Sequence, residues 1–129
     1  MTGTVVLPLS FGEAADKIAI LQIKRERIAD PDKLAHVEAE LRAIAPIFFA
    51  SVGEAAGFEA LFARLKEING RLWEIEEGLR QHERKGAFGV PFIELARAVY
   101  RTNDERFRLK REIDRLLGSE IFEEKSYVE

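Results

Sequence analysis

The chain has 129 residues, of which 47% are hydrophobic and 33% are charged, a balance typical of one soluble domain with a single core. Its formal net charge of -3 supplies no field that attracts nucleic acid or anionic membranes without a local patch. Because the sequence lacks cysteine, disulfides, zinc-thiolate sites and thiol catalysis are excluded. We find no signal peptide and no segment apolar enough to span a membrane, so we expect a cytoplasmic protein.

The beginning of the chain predicts an extended lead-in followed directly by a helix. Residues 4–9 are mostly β-branched and apolar, and Pro8 limits them to an edge strand or a lead-in. Ser10 with Glu13 three residues later forms a capping-box pattern, in which each side chain satisfies a free amide of the first turn. Helix 1 is therefore expected to start near Phe11.

A second helix follows at once. Asp30 suits an N-cap and Pro31 suits the first helical position, so helix 2 is expected to begin at about Pro31. Its core face has the three-four spacing of a buried stripe: Leu34, Val37, Leu41 and Ile44. We expect Pro46 to stop this helix, and residues 46–53, which are too apolar for a solvated loop, to tuck under the helices.

The middle of the chain carries its most regular pattern. Ser51 and Glu54 form another capping-box pattern, and a heptad seam follows through Phe58, Leu61, Leu65, Ile68, Leu72, Ile75, Leu79 and His82. Helix 3 is expected over residues 54–85, a length of roughly 45 Å. Gly86 is a natural C-cap and Pro91 opens helix 4, so the two long helices are predicted to fold back as an antiparallel hairpin.

Polar residues at positions 100–106 interrupt the apolar rhythm in the middle of helix 4. Either frame of its seam places Thr102 or Asn103 at the centre. A short connection between the long helices would bring three couples together: Asn103 with Leu72, Arg101 with Glu74, and Asp104 with Arg71. A polar centre of this kind commonly fixes the register of a helical pair. The alternative is a ligand site, whose candidate residues are Lys24, Glu74, Arg101, Asn103 and Asp104.

The end of the chain reads as extended again. Gly118 ends the helical pattern, and residues 119–127 have no helical period. We expect them to pair with Val5–Leu7 as a short two-stranded β-ribbon that lies against the helices. The fold class is therefore all-α, a long hairpin with two shorter helices packed on it, within one domain that comprises residues 1–129.

Several blocks of sequence, spread over almost the whole chain, carry a family resemblance: Pro8–Glu13, Asp16–Ile18, Ile20–Lys24, Arg27–Ile28, Leu72–Glu76, Tyr100–Asp104, Gly118–Ile121 and Glu124–Tyr127. Together they resemble an uncharacterised family of small bacterial helical proteins, a domain of unknown function. That family usually has a hydroxyl residue where this chain has Ala19 and a glutamate where it has Gln22. The resemblance implies a helical fold and an association with bacterial surface-polysaccharide genes, and it implies no reaction.

Chemical motifs give no activity of their own. Glu74 and Glu77 lie one helical turn apart and would suit magnesium together with Asp104, but Arg101 occupies the position where such sites need a second acid. We predict no metal and no cofactor. The basic run 106–111 is diluted by acids on both sides, so nucleic acid is not an expected partner. Arginines lining a helical bundle would also suit chemistry of chorismate-mutase type, but no motif orders them.

Self-association has better support than catalysis. Helices 1 and 2 are too short to cover both halves of the hairpin, whose distal part carries Trp73, Leu79, Phe88, Val90, Phe92 and Ile93. We predict a homodimer and, as the leading function, a non-catalytic interaction or accessory module that also accepts a protein partner. The alternative is an enzyme that binds a small molecule or a sugar nucleotide at the polar centre.

Overall fold

The computed structural model describes residues 3–127, which contain four α-helices and no β-strand. The helices are α1 (Phe11–Arg27), α2 (Pro31–Val52), α3 (Phe58–Lys85) and α4 (Val90–Leu117). The all-α prediction is confirmed. None of these helices is both long enough and apolar enough to cross a bilayer.

The predicted β-ribbon is wrong, because neither of its two segments forms a strand. Val5–Leu7 is exposed, with Val6 keeping 95% of its surface accessible. Residues 119–127 instead bind α4 through side chains, as described below. Ionic contacts with the neighbouring helix thus hold the end of the chain, where we had expected main-chain pairing.

Local capping sets the first two helix starts as expected. The Ser10 hydroxyl accepts a hydrogen bond from the Glu13 amide at 3.1 Å, which satisfies a free donor of the first turn of α1. The Asp30 carboxylate accepts from the amide of Asp32 at 2.9 Å and caps α2 in the same way. The Glu13 side chain has a different role from the one expected of a capping box, since it binds Lys110 at 3.0 Å.

Pro46 does not stop α2, contrary to our prediction, and the helix continues to Val52. A proline inside a helix removes one backbone hydrogen bond, which is a substantial cost. That cost is offset because the additional turns bury Phe48 and Val52, and the Phe48 ring packs on Phe58 at a centroid distance of 5.7 Å. Tertiary burial therefore overrides the local signal.

The second capping box is also wrong. Ser51 lies inside α2, where its hydroxyl donates to the Ile47 carbonyl at 2.9 Å. Helix α3 begins at Phe58 after Gly57, which adopts a left-handed conformation with a φ of 88°. The chain thus needs residues 53–57 to reverse direction, and α3 starts four residues later than expected.

Helix α1 is the centre of the body of the protein. It packs against α2, α3 and α4, while α2 makes its main contacts with α1 alone. The core cluster draws side chains from all four helices: Ala15, Ile18, Leu21, Val37, Leu41, Phe48, Val52, Phe58, Leu65, Ile68, Leu109 and Ile113. Every one of these lies outside residues 71–101.

Residues 71–101, which we call the arm, extend beyond this core. No residue of the arm is buried. Toward its tip, α3 and α4 contact each other: a Cβ at Gly78 would meet Leu95 at 3.0 Å, and the rings of His82 and Phe92 lie 6.2 Å apart. At its inner end, Arg27 of α1 lies 3.6 Å from Glu74. The added length of α2 does not cover the arm, because Phe48 and Phe49 pack at the opposite end of α3.

The close approach of α1 to α4 at Gly12 yields a test of the fold. A Cβ at this position would lie 2.2 Å from the carbonyl oxygen of Lys110, and backbone cannot move aside as a side chain can. We expect Gly12→Ala to lower the free energy of unfolding by about 2–3 kcal/mol, as overpacking does. Chemical denaturation measures this change.

Gly70→Ala is the matched control, since Gly70 is also helical and an added Cβ would meet only the flexible Arg27 side chain at 3.4 Å. Its effect should lie between zero and a gain of about 1 kcal/mol from helix propensity. Equal losses in the two variants would contradict the close packing of α1 on α4.

Candidate functional site

A buried carboxylate joins three helices at the inner end of the arm. Asp16 on α1 is only 3% exposed. Arg106 on α4 donates two hydrogen bonds to this carboxylate, from Nε to Oδ1 at 2.9 Å and from Nη2 to Oδ2. Asn69 on α3 donates a third, from Nδ2 to Oδ1 at 2.8 Å. Bidentate, charge-assisted hydrogen bonds of this kind are among the strongest in proteins. We call Asp16, Asn69 and Arg106 the polar layer.

The charges of the polar layer satisfy one another. The pKa of Arg106 is raised, because its hydrogen bonds to the Asp16 carboxylate outweigh the effect of burial. Asn103 completes the arrangement by accepting from Arg106 Nη1 at 3.4 Å. Within residues 3–127 no buried side-chain nitrogen or oxygen lacks a hydrogen-bond partner. The buried polar atoms of the layer are therefore paired within the protein.

Of the two predicted frames of helix 4, the structure has the one with Thr102 in its seam. Thr102 is buried and Asn103 half-buried, but the charged residue that enters the protein is Arg106, and its partner comes from α1. Sequence reasoning missed Asp16. The available signal was a face of helix 1 on which small residues at Gly12 and Ala19 flank this acid at helical spacing, a pattern that favours close packing against another helix.

The ion pairs predicted around that centre have other partners. Arg71 lies 3.9 Å from Glu105, one residue beyond the expected Asp104. Asp104 instead accepts from Lys125 at 3.0 Å. The remaining expected pair is also separate: Glu74 lies 3.6 Å from Arg27, and the Arg101 guanidinium lies over the Tyr100 ring.

The five candidate ligand residues consequently do not form one cluster. Lys24 lines a separate hollow of about 410 Å³ beside α1, together with Asp16 and Glu40. Glu74 and Arg101 are exposed on the arm. Asn103 and Asp104 share a cavity.

That cavity is a groove of about 970 Å³ between α4 and the end of the chain. Aromatic rings and charged groups alternate along it: Tyr100, Asn103, Asp104, Phe107, Lys110, Glu123, Lys125 and Tyr127. Lys125 connects the two walls, because its ammonium group binds Asp104 and lies 5.3 Å from the centre of the Phe107 ring.

The start of α1 and the end of α4 are fastened together beside the groove. Asp114 is buried, and its Oδ1 accepts from the Gly12 amide and from the Ser119 hydroxyl, each at 2.7 Å. Ser119 Oγ in turn accepts from the Phe11 amide at 3.0 Å. Two free amides at the start of α1 are therefore satisfied by groups from the far end of the sequence.

Two cations of α4, Lys110 and Arg111, bind the acidic residues that follow the helix, Glu123 and Glu124. Lys110 is 8% exposed and donates to Glu13 at 3.0 Å and to Glu123 at 2.6 Å. Burial lowers the pKa of Lys110, but the hydrogen bonds to the two glutamates outweigh it, so the pKa is raised overall. Arg111 donates to the Glu123 carbonyl at 2.9 Å and forms an ion pair with the Glu124 carboxylate, also at 2.9 Å.

A comparison of the chain with protein-family models, with curated proteins and with solved structures found no match. The features that bear on function are therefore the arm, the polar layer and the groove. Residues 3–127 also contain no group of three or more histidine, cysteine or carboxylate side chains placed to hold a metal ion.

The polar layer can be tested by removing its acid. Asp16→Ala leaves the partly buried Arg106 without its partner and Asn69 without an acceptor. We expect a loss of about 2–4 kcal/mol in the free energy of unfolding, because breaking one side of a buried pair leaves an uncompensated charge. Urea denaturation gives the value.

The control is Asp104→Ala, which removes an ion pair in which the carboxylate is 48% exposed. Exposed pairs of this kind contribute about 0–1 kcal/mol. If the two aspartate variants are equally stable, the polar layer does not hold the helices together.

The attachment of Glu123 should depend on pH. Its hydrogen bond from Lys110 holds the pKa of Glu123 below the ordinary value of 4.5. Because the folded pKa is depressed, the stabilisation from this contact is complete above the ordinary pKa and is lost as the pH falls through the lowered one. A carbon NMR titration of the Glu123 carboxyl should show a midpoint below 4.5.

Lys110→Gln supplies the comparison for this titration, since it keeps a long polar side chain and removes the charge. The pKa of Glu123 should then rise toward its ordinary value. An unchanged midpoint in the variant would show that Lys110 is not the cause.

Proposed function

We propose that this protein is a non-catalytic interaction module that forms a homodimer through its arm. The observation that carries the proposal is the absence of any buried residue between Arg71 and Arg101 in two helices that continue from a well-packed body. We take α3 and α4 to form the predicted antiparallel hairpin. In support, Arg64 lies 3.9 Å from Glu112, and Gly78, later on α3, faces Leu95, earlier on α4.

The arm exposes an apolar stripe on the outer face of α4. Val90, Ile93 and Tyr100 keep between 51% and 65% of their surface accessible, and Phe88 at the tip keeps 52%. Their spacing of three and seven residues places the three helical positions on one face. Large exposed apolar residues gathered on one helix face are typical of protein interfaces.

The distribution of charge on the arm favours a second copy of the chain as the occupant. On α3, Glu74, Glu76 and Glu77 precede Arg80, Arg84 and Lys85, with Glu83 among these bases, whereas on α4 the acid Glu94 lies toward the tip and the bases Arg97 and Arg101 lie farther in. If two arms lie side by side in opposite directions, the basic end of α3 in each arm faces the acidic part of α3 in the other. Such a two-fold arrangement is self-complementary and closed, as homodimer interfaces require.

A non-catalytic role is supported by the polar layer. Asp16, Asn69 and Arg106 are the buried groups best suited to bind a substrate, and they are occupied by one another. We further propose that the protein is cytoplasmic, because its sequence contains no cysteine. From its family resemblance, we propose that it is bacterial and acts as an accessory in surface-polysaccharide assembly. That part of the proposal depends on the resemblance alone.

Light scattering coupled to gel filtration tests the dimer. At tens of micromolar, we expect the native chain to have twice its mass of 14.7 kDa. Ile93→Glu, which places a charge in the apolar stripe, should give the monomer mass. Ile47→Glu is the matched control, because Ile47 is 70% exposed on α2 and lies outside the arm. A monomeric native chain at this concentration would refute the proposal.

The orientation of the two arms can be tested by exchanging charges. Glu76→Lys/Glu77→Lys makes the inner part of the arm basic, and Arg84→Glu/Lys85→Glu makes the tip acidic. Each variant alone should dimerise poorly, because like charges then face each other. An equimolar mixture should restore the dimer mass. If the mixture stays monomeric while the native chain is dimeric, the arms do not pair in opposite directions.

A further inference from the structure

The end of the chain occupies a small cationic site on α4. Lys110 and Arg111 are adjacent, and together they contact three oxygens of one acidic dipeptide. Hydrogen bonds join them to the carboxylate of Glu123 at 2.6 Å and to its carbonyl at 2.9 Å, and an ion pair joins Arg111 to the carboxylate of Glu124 at 2.9 Å. We call Lys110 and Arg111 the cradle, and residues 120–127 the tail.

An aromatic contact adds to the ionic ones. The Arg111 guanidinium lies 5.2 Å from the ring of Phe122 and 5.5 Å from the ring of Phe107. The side of the cradle that belongs to α4 thus presents a cation beside an aromatic ring. The tail contributes an aromatic residue followed by two acids: Phe122, Glu123 and Glu124. This order of residues defines the chemistry that the cradle accepts.

The cradle is built more firmly than the tail that occupies it. Glu13 on α1 also binds Lys110, so the ammonium group keeps one partner when Glu123 is removed. In contrast, no residue of the tail is buried, and the Glu124 side chain is 77% exposed. Exposed ion pairs are weak and are screened by salt. The tail is therefore a replaceable occupant of a site that persists without it.

We propose that the cradle is a docking site for an acidic segment of a partner protein, in which an aromatic residue precedes two acids, and that the tail occupies this site in cis. Beyond the cradle, the α4 wall of the groove continues to Tyr100 and offers further surface to the partner. The contacts of Lys110 and Arg111 come from α1, α4 and the tail. The cradle itself therefore lies outside the arm, although Tyr100 belongs both to the groove and to the apolar stripe.

The test uses a fluorescein-labelled peptide with the sequence of residues 120–127, followed by fluorescence anisotropy on the full-length chain. Glu123→Gln/Glu124→Gln weakens the tail as a competitor and leaves the cradle intact. A tethered segment acts at an effective concentration of roughly millimolar. We expect the variant to bind the peptide at least about fivefold more tightly than the native chain does, and binding to weaken when sodium chloride is raised.

Matched variants identify the cradle as the site. Added to the tail variant, Arg111→Gln should abolish binding, whereas Arg115→Gln, an exposed cation one turn farther along α4, should leave it unchanged. A peptide with glutamine in place of Glu123 and Glu124 should not bind. Ile93→Glu should bind as its parent does, which separates this result from the dimer.

Three results would overturn the proposal. The first is no binding of the peptide to the folded tail variant at millimolar concentration, with circular dichroism showing that it is folded. The second is binding that Arg111→Gln does not reduce. The third is equal affinity of the native chain and the tail variant, because the tail then does not compete for the cradle.

Discussion

The position of α1 depends on the Asp16 carboxylate, and the rest of the body depends on α1. A buried charge is costly unless it is fully paired, and the donors that pair Asp16 come from α3 and α4. These donors hold α1 in one register against the two long helices, close enough that Gly12 touches the α4 backbone. Since α2 makes its main contacts with α1, its place follows from the same carboxylate.

The parts of the fold that the sequence predicts well are those that local hydrogen bonding determines. Ser10 and Asp30 cap their helices, and Gly86 and Gly118 end theirs in the left-handed conformation, because each depends on neighbours within a few residues. The prediction that Pro46 ends α2 was wrong because it considered only this local bonding. The local cost of this proline is real, but Phe48 and Val52 bury surface that only the folded protein makes available. The β-ribbon is absent for a related reason: the tail binds side chains of α4 that are distant in sequence and does not pair with Val5–Leu7.

Of the five candidate residues, the two that line the groove, Asn103 and Asp104, are neighbours on one helix. Pairings between helices were less secure, since a shift of one residue rotates a helical position by about 100°. Arg71 accordingly meets Glu105 and leaves Asp104 to Lys125. The periodicity of two helices also does not show that a third helix supplies Asp16.

Helix α4 runs without interruption from Val90 to Leu117, and at 1.5 Å per residue its 28 residues span about 42 Å. The apolar stripe of the arm and the cradle therefore lie on one rod. Nothing along α4 acts as a joint, so their separation and relative angle are fixed by the helical repeat itself. Molecules bound at the stripe and at the cradle would therefore be held at a fixed separation of about 15 Å, measured along the helix axis from Tyr100 to Lys110, on neighbouring faces of α4.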